Sequence, residues 1–206
     1  MKSTGMLVPL VVRWVVGCMA IAGLSGCDKA PSSTATTSAA SAAAGQNSVG
    51  AGSVYDTVAA KASGFPVGNM IATRVVYVMF DPQCPHCGRL WETSKPLLGQ
   101  IRMIWSPVRF AGEMSARQAA VLIGSKDPVA EMDAHERSLD SKRGGLVPPA
   151  EIPAELLAKV TANTNLMREI GAASVPFLVY KNPKTGQSAS FEGALETEDL
   201  KKLLGL

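Results

Sequence analysis

Between residues 74 and 80 the chain is β-branched and aromatic with almost no polar position, and the run stops at Asp81-Pro82. A short, continuous apolar stretch bounded by turn residues predicts a buried central strand. The pattern then takes on helical spacing. Cys84-Pro85-His86-Cys87 places a proline suited to a first helical turn, and Leu90, Trp91, Leu97 and Leu98 follow as packing positions. Pro96 kinks or ends that helix. Residues 101–110 are apolar again and predict a second strand, with Pro107 marking a bulge or an edge. Strand, helix and strand in this order make a βαβ unit.

Before this unit, residues 54–62 can form a short helix, closed by Gly64, Pro66 and Gly68. After it, helices are expected over 114–124 and 128–139, the second opened by Asp127 as N-cap with Pro128 in its first turn. Residues 141–149, rich in Gly, Pro, Lys and Arg, read as a loop. Two further helices are expected over 153–162 and 165–170, the latter stopped at Gly171. Residues 177–181 and 188–192 predict a hairpin around Asn182-Pro183-Lys184-Thr185-Gly186, and 198–204 a terminal helix. The order is βαβ, a helical insertion over about 113–163, then ββα. This is an α/β pattern without internal repeats.

The 206 residues, 47% apolar and 18% charged, allow one globular domain with an appendage and exclude a wholly disordered chain. The appendage is N-terminal. Residues 1–14 carry Lys2 and Arg13 without an acid, and 15–24 form an apolar run of about ten residues, half the ~20 that a membrane-spanning helix needs. The run reads as a signal peptide over 1–26. Its end, Leu24-Ser25-Gly26-Cys27, resembles the bacterial lipobox, which implies cleavage before Cys27, acylation of its sulfur and attachment to a lipid bilayer. Asp28 stands where the lipoprotein sorting rule favours the inner membrane. Residues 29–52 are almost entirely Ala, Ser, Thr, Gly, Gln and Asn and predict a flexible tether with a reach of ~27 Å. The expected layout is therefore signal peptide 1–26, lipidated Cys27 with tether to 52, and a folded domain over 53–206. Loss of Lys2 and Arg13 takes the 20 cations to 18 against 17 anions, so no basic surface argues for nucleic acid.

With Cys18 removed and Cys27 acylated, Cys84 and Cys87 are the remaining thiols, in a compartment where disulfides persist. Their place at a strand-to-helix junction suits a reactive dithiol: unpaired amides and the helix dipole favour the Cys84 thiolate. Cys87, one turn on, can close a small ring and resolve a mixed disulfide. His86, when protonated, adds positive potential, and Pro85 shapes the turn. A zinc site lacks ligands, since only His86 and the remote His135 could join two cysteines, and haem attachment needs a histidine where Gly88 stands. A passive structural disulfide is the other reading. Asp81 either makes the turn before Pro82 or relays a proton to Cys87. His135 and the charged run 131–143 read as solvated surface, and Met70, Met79, Met103, Met114, Met132 and Met167 as core packing. Pro176, after Ser174-Val175, opens a strand.

The element order, the Cys-x-x-Cys and this strand-opening proline together resemble the thioredoxin fold. The resemblance implies that Pro176 is cis and faces the dithiol, and that Val175 pairs by backbone with an extended client segment. Phe80 to Cys87, Ala120 to Pro128 and Asn165 to Gly171 look more closely like the catalytic domain of the DsbC/DsbG family of periplasmic thiol:disulfide interchange proteins, nearest its DsbG members. That family carries an N-terminal dimerisation domain for which Ser53 to Arg74 has no room, which implies a monomer. Pro85-His86 and Val175 match the oxidase DsbA better, whereas Val78 stands where thioredoxin and DsbA bury an acid. The resemblance implies client proteins bearing disulfides, thiols or sulfenic acids, a membrane redox partner of the Dsb type, and exchange on the two sulfurs with no cofactor or metal. Two alternatives remain open: a DsbA-like disulfide donor, and a non-catalytic peptide-binding module with a static Cys84–Cys87 bridge.

Overall fold

A computed structural model describes residues 53–206. The expected signal peptide, Cys18, Cys27, Asp28 and the tether to residue 52 lie outside the described residues. In chain order the helices are α1 (Val54–Lys61), α2 (Pro85–Ser94), α3 (Glu113–Gly124), α4 (Pro128–Asp140), α5 (Ala154–Glu169) and α6 (Thr197–Leu204). The strands are β1 (Phe65–Gly68), β2 (Val75–Phe80), β3 (Arg102–Pro107), β4 (Phe177–Lys181) and β5 (Ser188–Glu192). They form one sheet in the order β1-β3-β2-β4-β5, with β2 and β3 parallel and every other pair antiparallel. The arrangement is the expected thioredoxin-like α/β fold, with α3, α4 and most of α5 inserted between β3 and β4.

Strand β2 reads as continuously apolar because both faces of the sheet are covered. Val76, Val78 and Phe80 face a cluster with Trp91, Trp105, Leu178 and Leu200. Met79 faces the opposite cluster with Val58, Leu166, Met167 and Val179. In the first cluster the Trp105 ring packs edge-on against Phe80 at 5.2 Å and Trp91 at 5.0 Å between centroids. Such aromatic pairs contribute about 0.5–1.5 kcal/mol beyond the area they bury. They fix α2 on the sheet, and with it the dithiol at its N-terminus.

Several elements differ from expectation for identifiable reasons. Residues 65–68, expected as breakers, form edge strand β1, where Phe65 and Val67 are buried and Pro66 is exposed. An edge strand with one neighbour tolerates a proline that lacks an amide donor. The two helices expected over 153–162 and 165–170 are one, α5, because its polar middle is satisfied inside the protein. The Asn163 amide donates to Ser63 O and Pro107 O at 2.7 and 2.9 Å, and Thr164 Oγ1 accepts from the Arg109 amide at 2.9 Å. Strand β3 ends at Pro107, short of residue 110, and a 3-10 turn over Lys95–Leu97 follows α2 at Pro96. Of the six methionines expected in the core, Met70 and Met114 are exposed instead.

Candidate functional site

Helix α2 starts at the dithiol. Cys84 is its N-cap with extended backbone, and Pro85 takes the first helical position, where its missing amide costs nothing. The Cys84 amide donates to Asp81 O at 3.0 Å, and the Cys87 and Gly88 amides close the first turn on Cys84 O at 3.0 and 3.2 Å. Both cysteines are free thiols; Cys84 is half-buried and Cys87 fully buried. Pro85 and His86 face outward from the same turn.

Across from Cys84 lies the β4 entry. The Val175–Pro176 peptide bond is cis, and the Cys84 thiol reaches Val175 O at 3.6 Å. Cys84, Cys87, Val175 and Pro176, with Cys84 and Val175 91 residues apart in sequence, thus meet at one end of the sheet. The two sulfurs differ sharply in acidity. Cys84 is lowered to about 6, chiefly by the hydrogen bond from the Cys87 thiol, then by the Cys87 and His86 amides and the His86 charge, against opposing desolvation. Burial pushes Cys87 far up, and the neighbouring Cys84 adds to that. Near neutral pH the site therefore presents one accessible thiolate and one buried thiol.

Asp81 proves to be a buried tie. Its Oδ1 accepts from the Gln83 amide at 2.8 Å, while Oδ2 accepts from the Phe110 and Ala111 amides at 2.6 and 2.7 Å and from Ser115 Oγ. These donors join the loop before Cys84 to the start of α3, which is the turn-making reading carried further.

His135 corrects the expectation of a solvated residue. It is fully buried, and its ring bridges two loops: the Leu146 amide donates to Nδ1 at 3.1 Å, and Nε2 donates to Pro82 O at 2.7 Å. Burial lowers its pKa and favours the neutral ring that this pair of bonds requires. Gln118 donates to Gly144 O and Leu146 O, and Gln83 donates to Gln118 Oε1 and Gly144 O. The insertion is thereby clamped to the segment that carries the dithiol. Glu136, in the run expected to be solvated, is also buried, and it packs against Gly88. The signal available for these residues was helical spacing, since Met132, His135 and Glu136 share one face of α4.

No family model matches the sequence. The chain is 34% identical over 140 residues to the thiol:disulfide interchange protein DsbG of Pseudomonas aeruginosa, covering 67% of this chain and 54% of that one. It is 30% identical over 115 residues to DsbG of Escherichia coli, covering 55% and 46% respectively. The chain thus spans about half the length of the curated relatives it matches. Among solved structures, a periplasmic thioredoxin-like protein from Salmonella enterica superposes with a TM-score of 0.59 at 15% identity, over 74% of this chain and 94% of that one. That likeness bears on the fold.

Proposed function

From the premise that its thioredoxin-like domain belongs to the DsbC/DsbG-like family, we propose that this chain is an extracytoplasmic thiol-disulfide oxidoreductase acting on client proteins. The observation that carries the reading is the pairing of a half-exposed, acidified Cys84 with a buried Cys87 opposite the cis Val175–Pro176 bond. The Cys84 thiolate attacks a client disulfide, displaces one client thiolate and forms a mixed disulfide. An extended client segment pairs with the backbone at Val175. Cys87 then loses its proton and attacks the Cys84 sulfur, which closes the Cys84–Cys87 disulfide and releases the second client thiolate. The role is DsbG-like, reducing disulfides or sulfenic acids and isomerising disulfides, with a Dsb-type membrane partner restoring the dithiol. The protein works as a monomer, held in the periplasm to the inner membrane by acylated Cys27.

Disulfide donation is the second reading, supported by the low Cys84 pKa, since stabilising the reduced, ionised form makes the disulfide more oxidising. In the full chain, Cys87→Ala should accumulate mixed disulfides with clients and Cys84→Ala should form none. A static bridge would leave both variants free of trapped clients. Equilibration in glutathione buffers separates reductant from donor. A potential on the oxidising side of thioredoxin's ~ −270 mV is expected, and the further it lies in that direction the more it favours donation.

A further inference from the structure

Helix α4 turns Met132, His135 and Glu136 toward the interior. Met132 is apolar and His135 has both ring nitrogens bonded, but Glu136 Oε1 is buried without a hydrogen-bond partner. The residue is only 7% exposed. An unpaired carboxylate in such a place is costly to ionise, so it keeps its proton to higher pH than usual. Its pKa rises to about 8, through burial first and then through Asp140, Glu92 and Cys84.

The position of this carboxyl links it to the dithiol. It rests against Gly88, where a Cβ atom would fall 2.2 Å from Oε2, and the Gly88 amide is bonded to Cys84 O at 3.2 Å. The absence of a side chain at residue 88 is what admits the carboxyl to the first turn of α2. Glu136 and Gly88 both line a groove of about 420 Å³ with Gln83, Pro85, Arg89, Glu92, Leu139 and Asp140. That groove gives solvent a route to it.

We propose that Glu136 is a positioning residue that carries a proton for the dithiol, taking it up from the groove when the Cys84–Cys87 disulfide is reduced and releasing it when the disulfide forms again. The inference rests on the exchange chemistry proposed above. A reducing dithiol gives up two electrons and two protons as its own disulfide closes. The Cys84–Cys87 bond breaks, Cys84 stays a thiolate, and Cys87 takes one proton. The new negative charge disfavours a second one beside the same helical turn, so Glu136 takes the other proton. On oxidation the thiolate charge vanishes and the proton returns to water in the groove. Asp140 on α4, Glu92 and Arg89 on α2, and Lys95 after it also face this carboxyl, whereas the thiolate charge on Cys84 is the one that the redox step itself creates and removes.

The test uses the full chain in detergent, equilibrated with dithiothreitol across about pH 7 to 8.5, where Cys84 is already a thiolate, together with carbon NMR of the Glu136 carboxyl in both redox states. The carboxyl should titrate at higher pH in the reduced protein. Reduction should take up more than one proton per two electrons in the native chain and about one in Glu136→Gln. Identical titration in the two states, or an unchanged proton count in the variant, overturns the proposal while leaving disulfide exchange intact. A pair that cannot be reduced at all removes both readings. Should Glu136→Gln fail to fold, the native titration alone decides.

Discussion

Cys84 and Cys87 are one helical turn apart, yet their thiols are pushed in opposite directions: burial raises Cys87 first, and the hydrogen that its thiol donates to the half-buried Cys84 sulfur lowers Cys84 and raises Cys87 further. A hydrogen bond to an ionised group is worth about 1.5–3 kcal/mol, or roughly one to two pKa units. The His86 charge is the smallest contributor, on an exposed ring screened by water. Cys87→Ala should therefore raise the Cys84 pKa well above about 6, and His86→Ala should raise it less. Thiolate absorbance of the three proteins checks the order, and a larger effect of His86→Ala would reverse the assignment. The dithiol was legible in the sequence because its chemistry is local, with two cysteines, a first-turn proline and a strand end within a few residues. His135 and Glu136 were not, because Glu131 to Arg137 is dense in charge and its composition outweighs the three inward positions that mark it as half-buried.

The helical insertion holds the dithiol segment in place through α4. His135 is its main link, joining Pro82 to Leu146, and Trp91 Nε1 donates to Asp133 Oδ1 at 2.8 Å as a second tie between α2 and α4. Replacing His135 with Phe leaves the buried Pro82 carbonyl unpaired, at about 1–3 kcal/mol, and frees the half-buried Leu146 amide at less. The melting temperature should fall, and amide exchange should quicken around residues 82 and 146. Burial lowers the folded-state pKa of His135, so its contribution to stability is present above the unfolded value of about 6.5 and is lost as pH falls through the folded one. A urea midpoint that drops on acidification in the native protein and less in His135→Phe is the expected result. Most elements were legible from apolar runs and caps. Strand β1 and the unbroken α5 were not, since a proline on an edge and an asparagine with three hydrogen bonds to Ser63 and Pro107 depend on neighbours far along the chain.

At the scale of the whole molecule, Ser53 to Arg74 folds into α1 and β1, with Val58 and Phe65 buried in the two faces of the core. These residues therefore belong to the thioredoxin-like domain and do not form a separate dimerisation unit, so sedimentation of the full chain in detergent should give a monomer. A tight dimer would show that another surface associates. The other whole-molecule expectation is the anchor. Leu24 to Cys27 follows an apolar run of about ten residues, too short to cross ~30 Å of hydrocarbon, so the expected membrane retention would come from acyl chains on Cys27. More than one chain on a single residue satisfies the requirement for stable attachment. Expressed in bacteria, the native chain should fractionate with membranes and begin at a diacylglyceryl-modified Cys27 by mass spectrometry. Cys27→Ala should move it to the soluble extracytoplasmic fraction while leaving the thiolate titration of Cys84 unchanged. A native chain that is soluble, or that begins elsewhere with an unmodified Cys27 thiol, removes the anchor and leaves the redox site as it stands.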